Sequence, residues 1–124
     1  MVNITPDVKN LIEKSAIAVA TVDEIGNPHC ITVVFAKVVS ENQILITDNY
    51  MIKTVENIKR KPSIALAVWS KDWEKKCFGY KLKGSTEYFT EGKWHEMVKS
   101  FPGNKGEPCK GAILVTVNEI KNLT

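Results

Sequence analysis

Hydrophobic positions change period several times along the chain, and each change marks a predicted element. Thr5-Pro6-Asp7 supplies an N-cap, a proline at the first helical position and an early acid. Val8, Leu11 and Ile12 then share one face, which predicts a short opening helix. Residues 16–22 form a near-continuous run of small and β-branched side chains, ended by the turn signal Asp23-Glu24-Ile25-Gly26-Asn27-Pro28. A second strand is predicted over residues 29–39, a turn over residues 40–43 and a third strand over residues 44–47. Three strands on short turns read as an antiparallel meander.

A second helix is predicted over residues 51–59, with Met51, Val55 and Ile58 on one side and Pro62 blocking its continuation. Residues 64–69 read as a fourth strand buried on both faces. After a charged loop over residues 70–76, residues 78–89 form a longer fifth strand. Thr90-Glu91 caps a third helix carrying Trp94, Met97, Val98 and Phe101, whose spacing is that of a core-facing stripe. Residues 102–110 hold two Gly and two Pro and read as a loop, and residues 111–117 are the last strand. The pattern therefore predicts a mainly β chain of six antiparallel strands with three short peripheral helices. A flat sheet would leave two edges open, and closure into a small barrel removes them. A barrel this small is filled by its own side chains, so a ligand must sit outside it or between subunits.

The length of 124 residues suits one domain, residues 1–124, and the 44% hydrophobic and 25% charged residues are ordinary for a globular chain. No apolar run reaches the roughly 18 residues of a membrane span. Residues 1–7 lack the basic and apolar regions of a signal peptide. Three cysteines fit a reducing compartment better than a disulfide framework, so a cytoplasmic protein is expected. The net charge of +3 is mild, and among the basic residues only Arg60 is Arg. Recognition of bases and phosphates favours the planar Arg fork, so nucleic acid is not the expected partner.

Candidate chemistry is sparse. No Gly-rich dinucleotide or phosphate loop occurs, and Cys30, Cys77 and Cys109 have no zinc spacing. Histidines 29 and 95 lack an evident nucleophile partner, and solvent exposure is the plain reading of His95 on its amphipathic helix. No residue is assigned a catalytic role and no metal is expected; a cofactor would carry any reaction. The segment Thr47-Asp48-Asn49-Tyr50-Met51-Ile52-Lys53-Thr54 stands apart, because it enters a helix with Lys53 and no acid after Asp48. A helix N-terminus carries free amides and partial positive charge, so a cation there suits a bound anion. Two readings stay open on these residues: a phosphate site, or a capped helix with a solvated lysine.

An apolar Ala-Thr-Val-Asp strand with a Gly-Asn-Pro-His turn comes first, followed by I-L-I-T-D-N-Y-x-x-K-T, N-I-K-R-K-P-S-I-A-L-A-V and G-Y-K-L-K-G-S-T-E-Y. This ordered set resembles the FMN-binding split-barrel family related to pyridoxamine 5′-phosphate oxidase, over residues 5–120. The resemblance implies that Thr47, Lys53 and Thr54 hold the FMN phosphate and ribityl chain. It implies that Asp48 and Asn49 line the same turn with backbone groups facing the flavin, and that Thr32, Val33 and Val34 pass the isoalloxazine edge. It further implies a redox-active homodimer, in which Trp69, Trp73 or Tyr80 of one subunit covers the ring of the other.

Departures from the oxidase are specific. Met51 and Ile52 stand where it has Ser-Arg, Thr32 stands near its basic residue on the second strand, and Gly79 falls near its Gln. Pyridoxamine phosphate oxidation itself is therefore not expected. Three other readings compete: the same fold with a deazaflavin or haem, a cofactor-free interaction domain, and a barrel binding single strands through Lys59-Arg60-Lys61 and Lys75-Lys76. The sequence names no substrate, electron donor or acceptor.

Overall fold

The computed structural model describes residues 2–123. The opening helix α1 (Pro6–Lys14) forms as its signals predict: Thr5 accepts a hydrogen bond from the Val8 amide, and Val8, Leu11 and Ile12 are buried. Strand β1 (Ile17–Val22) then alternates buried and half-buried residues. The following turn is tied by Asp23, whose carboxylate accepts from the Ile25 and Asn27 amides at 3.0 and 2.8 Å, and Gly26 takes φ +89°.

Among the described residues seven strands form, where six are expected from the pattern. The stretch 29–39 divides into β2 (Pro28–Val33) and β3 (Ala36–Ser40), which take different partners, β1 and β4 (Gln43–Asp48). The run Ile31-Thr32-Val33-Val34-Phe35 conceals this break, because β-branched and aromatic residues look like strand wherever they sit. After α2 (Lys53–Arg60) come β5 (Ser63–Trp69), β6 (Gly79–Phe89), α3 (Lys93–Ser100), a 3-10 turn (Pro102–Asn104) and β7 (Gly111–Asn122).

All strand pairings are antiparallel, in the order β2-β1-β5-β6-β7-β4-β3. The two edge strands are thus the two halves of one segment, joined only by Val34 and Phe35. A link this short holds the ends of Val33 and Ala36 within about 11 Å, so the sheet must curl until its edges meet at that end. The Thr47 amide donates to the Phe35 carbonyl at 3.2 Å, which carries the β3–β4 ladder up to this link. The result is a mainly β split barrel with short helices outside it. Its interior is filled by side chains such as Ile17, Val19, Ile46, Leu66, Leu82 and Ile113, each at most 1% exposed. A smaller cluster around Leu45, Val98 and Leu114 seats α3, with Trp94 and Phe101 packed against it.

Further departures have physical causes. Strand β5 is buried on one face only, because Ala65 and Ala67 are apolar yet small enough to lie half-covered outside the barrel. Strand β7 runs five residues past the apolar stretch, its polar end pairing with residues 80–83 of β6. Helix α3 starts on Gly92 at φ +87° without a side-chain cap, not on Thr90-Glu91. His95 is 8% exposed rather than solvated. Its Nε2 donates to the Cys109 carbonyl at 2.7 Å, which satisfies a ring that the helical pattern alone places outside.

Candidate functional site

A groove of about 560 Å³ opens where the two sheet edges meet, bounded by the end of β2, the 49–52 loop and the start of α2. Seven of the eight residues singled out in the sequence line it: Thr32, Val33, Val34, Thr47, Asn49, Lys53 and Thr54. His29, Ile31, Phe35, Tyr50, Met51, Ile52 and Glu107 complete the wall. The volume is within the roughly 300–1,000 Å³ of small-molecule sites.

Asp48 is the exception. It is 1% exposed and lies beneath the groove, not on its surface. One carboxylate oxygen accepts from the Met51 amide at 2.9 Å and the other from the Tyr88 hydroxyl at 2.6 Å. Lys110 stands 3.8 Å from Asp48 and donates to the Met51 carbonyl at 2.8 Å. Asp48 therefore folds the 49–52 loop back on itself. Burial, with the Asp48 bond and charge, pushes the Tyr88 phenol well above the usual tyrosine range.

The start of α2 supplies the polar end of the groove. Ile52, at the N-cap, has no polar side chain, its backbone (φ −124°, ψ −66°) is not extended, and no side-chain cap bond forms. The first-turn amides are left for another acceptor. Lys53 opens the helix, with Thr54 buried behind it at 1% exposure. The Lys53 ammonium lies 3.9 Å from both Glu24 and Glu56, and its side chain is 41% exposed. Ion pairs this long and this wet contribute at most about 1 kcal/mol, so Lys53 is available to an anion. Its charge also helps the Asn27 and Ile25 amides, Asn27 foremost, to hold the Asp23 carboxyl below its usual range.

The loop after α3 packs behind Thr47 and Asn49 and reaches the groove at Glu107. Asn104 is 2% exposed and donates from Nδ2 to the Thr47 hydroxyl at 2.7 Å and to the Val98 carbonyl at 2.8 Å. Asn49 donates to Asn104 at 3.5 Å and accepts from the Cys109 amide at 2.9 Å. Cys109 takes φ +46°, held in that left-handed conformation between Asn49 and His95. At the mouth, the Tyr50 hydroxyl donates to Glu107 at 2.8 Å, which raises the Tyr50 phenol above its ordinary value. Nothing in the sequence marked Asn104 or Glu107, because Pro-Gly-Asn reads as a turn, and Tyr88 entered only as the last residue of a strand motif. Trp69, Trp73 and Tyr80 do not line the groove.

Chemically, the groove has two characters. Thr47, Thr54, Lys53 and the free amides of α2 present hydrogen-bond donors at one end. Ile31, Val33, Val34 and Ile52 present apolar surface beside it. Such a surface accepts a flat ring carrying an anionic tail.

The uncharacterized protein MJ0282 of Methanocaldococcus jannaschii is 29% identical over 127 residues, covering 99% of this chain and 83% of the relative. The crystal structure of HupZ from Group A Streptococcus superposes with a TM-score of 0.87 at 27% identity, over 97% of this chain and 94% of that one. An FMN-binding protein from Syntrophomonas wolfei subsp. wolfei superposes at 0.77 and 16% identity, over 94% of this chain and 83% of that one, a likeness of fold. The family model described as pyridoxamine 5′-phosphate oxidase matches residues 4–123. The chain belongs to the pyridoxamine 5′-phosphate oxidase family of split-barrel proteins.

Proposed function

We propose that this protein is an FMN-binding flavoprotein that acts as a homodimer in electron or hydride transfer. The observation that carries the reading is the uncapped start of α2, where Thr47, Lys53 and Thr54 converge beside an apolar wall. The donors suit a phosphate: free amides and the helix dipole favour an anion, and Lys53 supplies a point charge. Ile31, Val33, Val34 and Ile52 suit an aromatic ring and keep water from one of its faces. When bound, FMN supplies one- and two-electron chemistry. The chain's own part is to bind it, orient it and limit its contact with water.

What the groove leaves open supports the homodimer. Val34, Tyr50 and Ile52 are 57%, 73% and 72% exposed along its rim. Clustered exposed apolar residues at a site rim favour a covering surface, and a second copy supplies one without enlarging the chain. The substitutions Met51 and Ile52 speak against pyridoxamine phosphate oxidation itself.

The test is direct. Protein purified under native conditions should be yellow and release FMN on denaturation, and stripped protein should take FMN back with an altered absorbance spectrum. A deazaflavin and haem are titrated in parallel. Reconstitution with excess FMN that leaves no flavin bound overturns the reading, and saturable binding of a parallel ligand alone replaces it.

A further inference from the structure

Both amide hydrogens of Asn104 are committed, one to Thr47 Oγ1 and one to the Val98 carbonyl. Its orientation is not free to reverse. The Val98 carbonyl only accepts, and at the other end of the chain of bonds the Cys109 amide only donates, so Asn49 must offer its Nδ2 to Asn104 Oδ1. Two backbone groups thus lock two side-chain amides in sequence.

The lock reaches the Thr47 hydroxyl. Its oxygen receives the Asn104 N–H, so its own proton must go elsewhere, and among the described residues no protein group accepts it. Thr47 is 4% exposed and faces the groove. The proton therefore points into it.

We propose that Asn104 is a positioning residue that fixes the Thr47 hydroxyl as a hydrogen-bond donor into the groove, favouring at this end a group that accepts, such as a phosphate oxygen. The inference rests on the flavin reading above and deepens it. Left alone, a threonine hydroxyl can donate or accept and so tolerates either kind of ligand atom. With one lone pair taken by Asn104 and its proton without an acceptor among the described residues, it joins the α2 amides and Lys53 as a donor. A ligand group that can only donate leaves the buried Thr47 proton unpaired, which is the stronger form of discrimination.

A double-mutant cycle tests this, with FMN as the probe and flavin fluorescence as the readout of affinity. Thermal unfolding without ligand checks that each variant folds. Thr47→Val and Asn104→Ala should each weaken FMN about tenfold, the scale of one hydrogen bond to a charged group. The double variant should bind within about threefold of Thr47→Val alone, because Asn104 has nothing left to orient. Should Asn104→Ala fail to fold, Asn104→Leu fills the same space without a charge. It too removes the donor to the Thr47 hydroxyl, so an excess loss when the hydroxyl is present still reports the orientation. Losses that multiply in the double variant, or an Asn104 variant with unchanged affinity, overturn the proposal while leaving the flavin reading intact. Wild-type protein that binds no FMN overturns both.

Discussion

Lys53 opens α2, yet its ammonium is held only loosely, 3.9 Å from two exposed carboxylates. A lysine so placed can exchange these partners for a phosphate at little cost. Lys53→Ala should weaken FMN by about 1–3 kcal/mol with little change in stability, the range of a charge-assisted bond. Flavin titration checks it, and equal affinity removes Lys53 from the site. Asp48 teaches the opposite lesson. In the sequence it is as prominent as Lys53, five residues away in the same segment, but buried charge needs partners and it finds three in Met51, Tyr88 and Lys110. Tyr88→Phe should cost about 1–3 kcal/mol at neutral pH by leaving that carboxylate short of a donor. A phenol raised in the folded state contributes fully below the ordinary value of 10.0 and less as pH climbs above it. The gap in stability between wild type and Tyr88→Phe should therefore shrink above pH 10, as read by urea unfolding. A gap independent of pH would detach Tyr88 from Asp48.

Among elements, those set by local rules were legible, and those set by distant partners were not. Helix α1 follows from Thr5, Pro6 and three apolar residues, all within nine positions of one another. The division of β2 from β3 depends on β1 and β4 claiming one half each, which no local period records. The same holds for the candidate site. Thr47, Lys53 and Thr54 lie together in sequence and could be read as a unit, whereas Asn104 joins them from 57 positions beyond Thr47. Strand β6 carries a constraint of this distant kind. Its register against β7 shifts between Lys83 and Gly84, and a Cβ at Gly84 would run into the Thr116 carbonyl. A backbone atom inside a ladder cannot swing aside as a side chain does. Gly84→Ala should destabilise the fold by about 1–3 kcal/mol, measured by the urea midpoint, and an unchanged midpoint would show that the bulge yields.

At the scale of the molecule, the filled barrel interior sends any ligand to the outside, where the groove rim is apolar and exposed. Light scattering behind size exclusion should give twice the monomer mass at micromolar concentration. Val34→Asp, placing a charge on the rim, should shift the population toward monomer; a wild-type monomer at those concentrations removes the dimer.

The seam between β2 and β3 has a consequence in time. Ala18 finds its partner in Ala67, and Ile44 finds its own in Val115, so the sheet is built from contacts between remote parts of the chain. Topologies dominated by such pairings fold in roughly milliseconds to seconds. The groove needs both ends of the sheet in place, since one wall comes from β2 and the other from the segment after β4. Flavin capture should accordingly be the last signal to appear when the denatured chain is refolded with FMN in a stopped-flow cell, after tryptophan fluorescence has reached its plateau. Quenching that runs ahead of the tryptophan signal would mean that the cofactor gathers the edges instead of waiting for them.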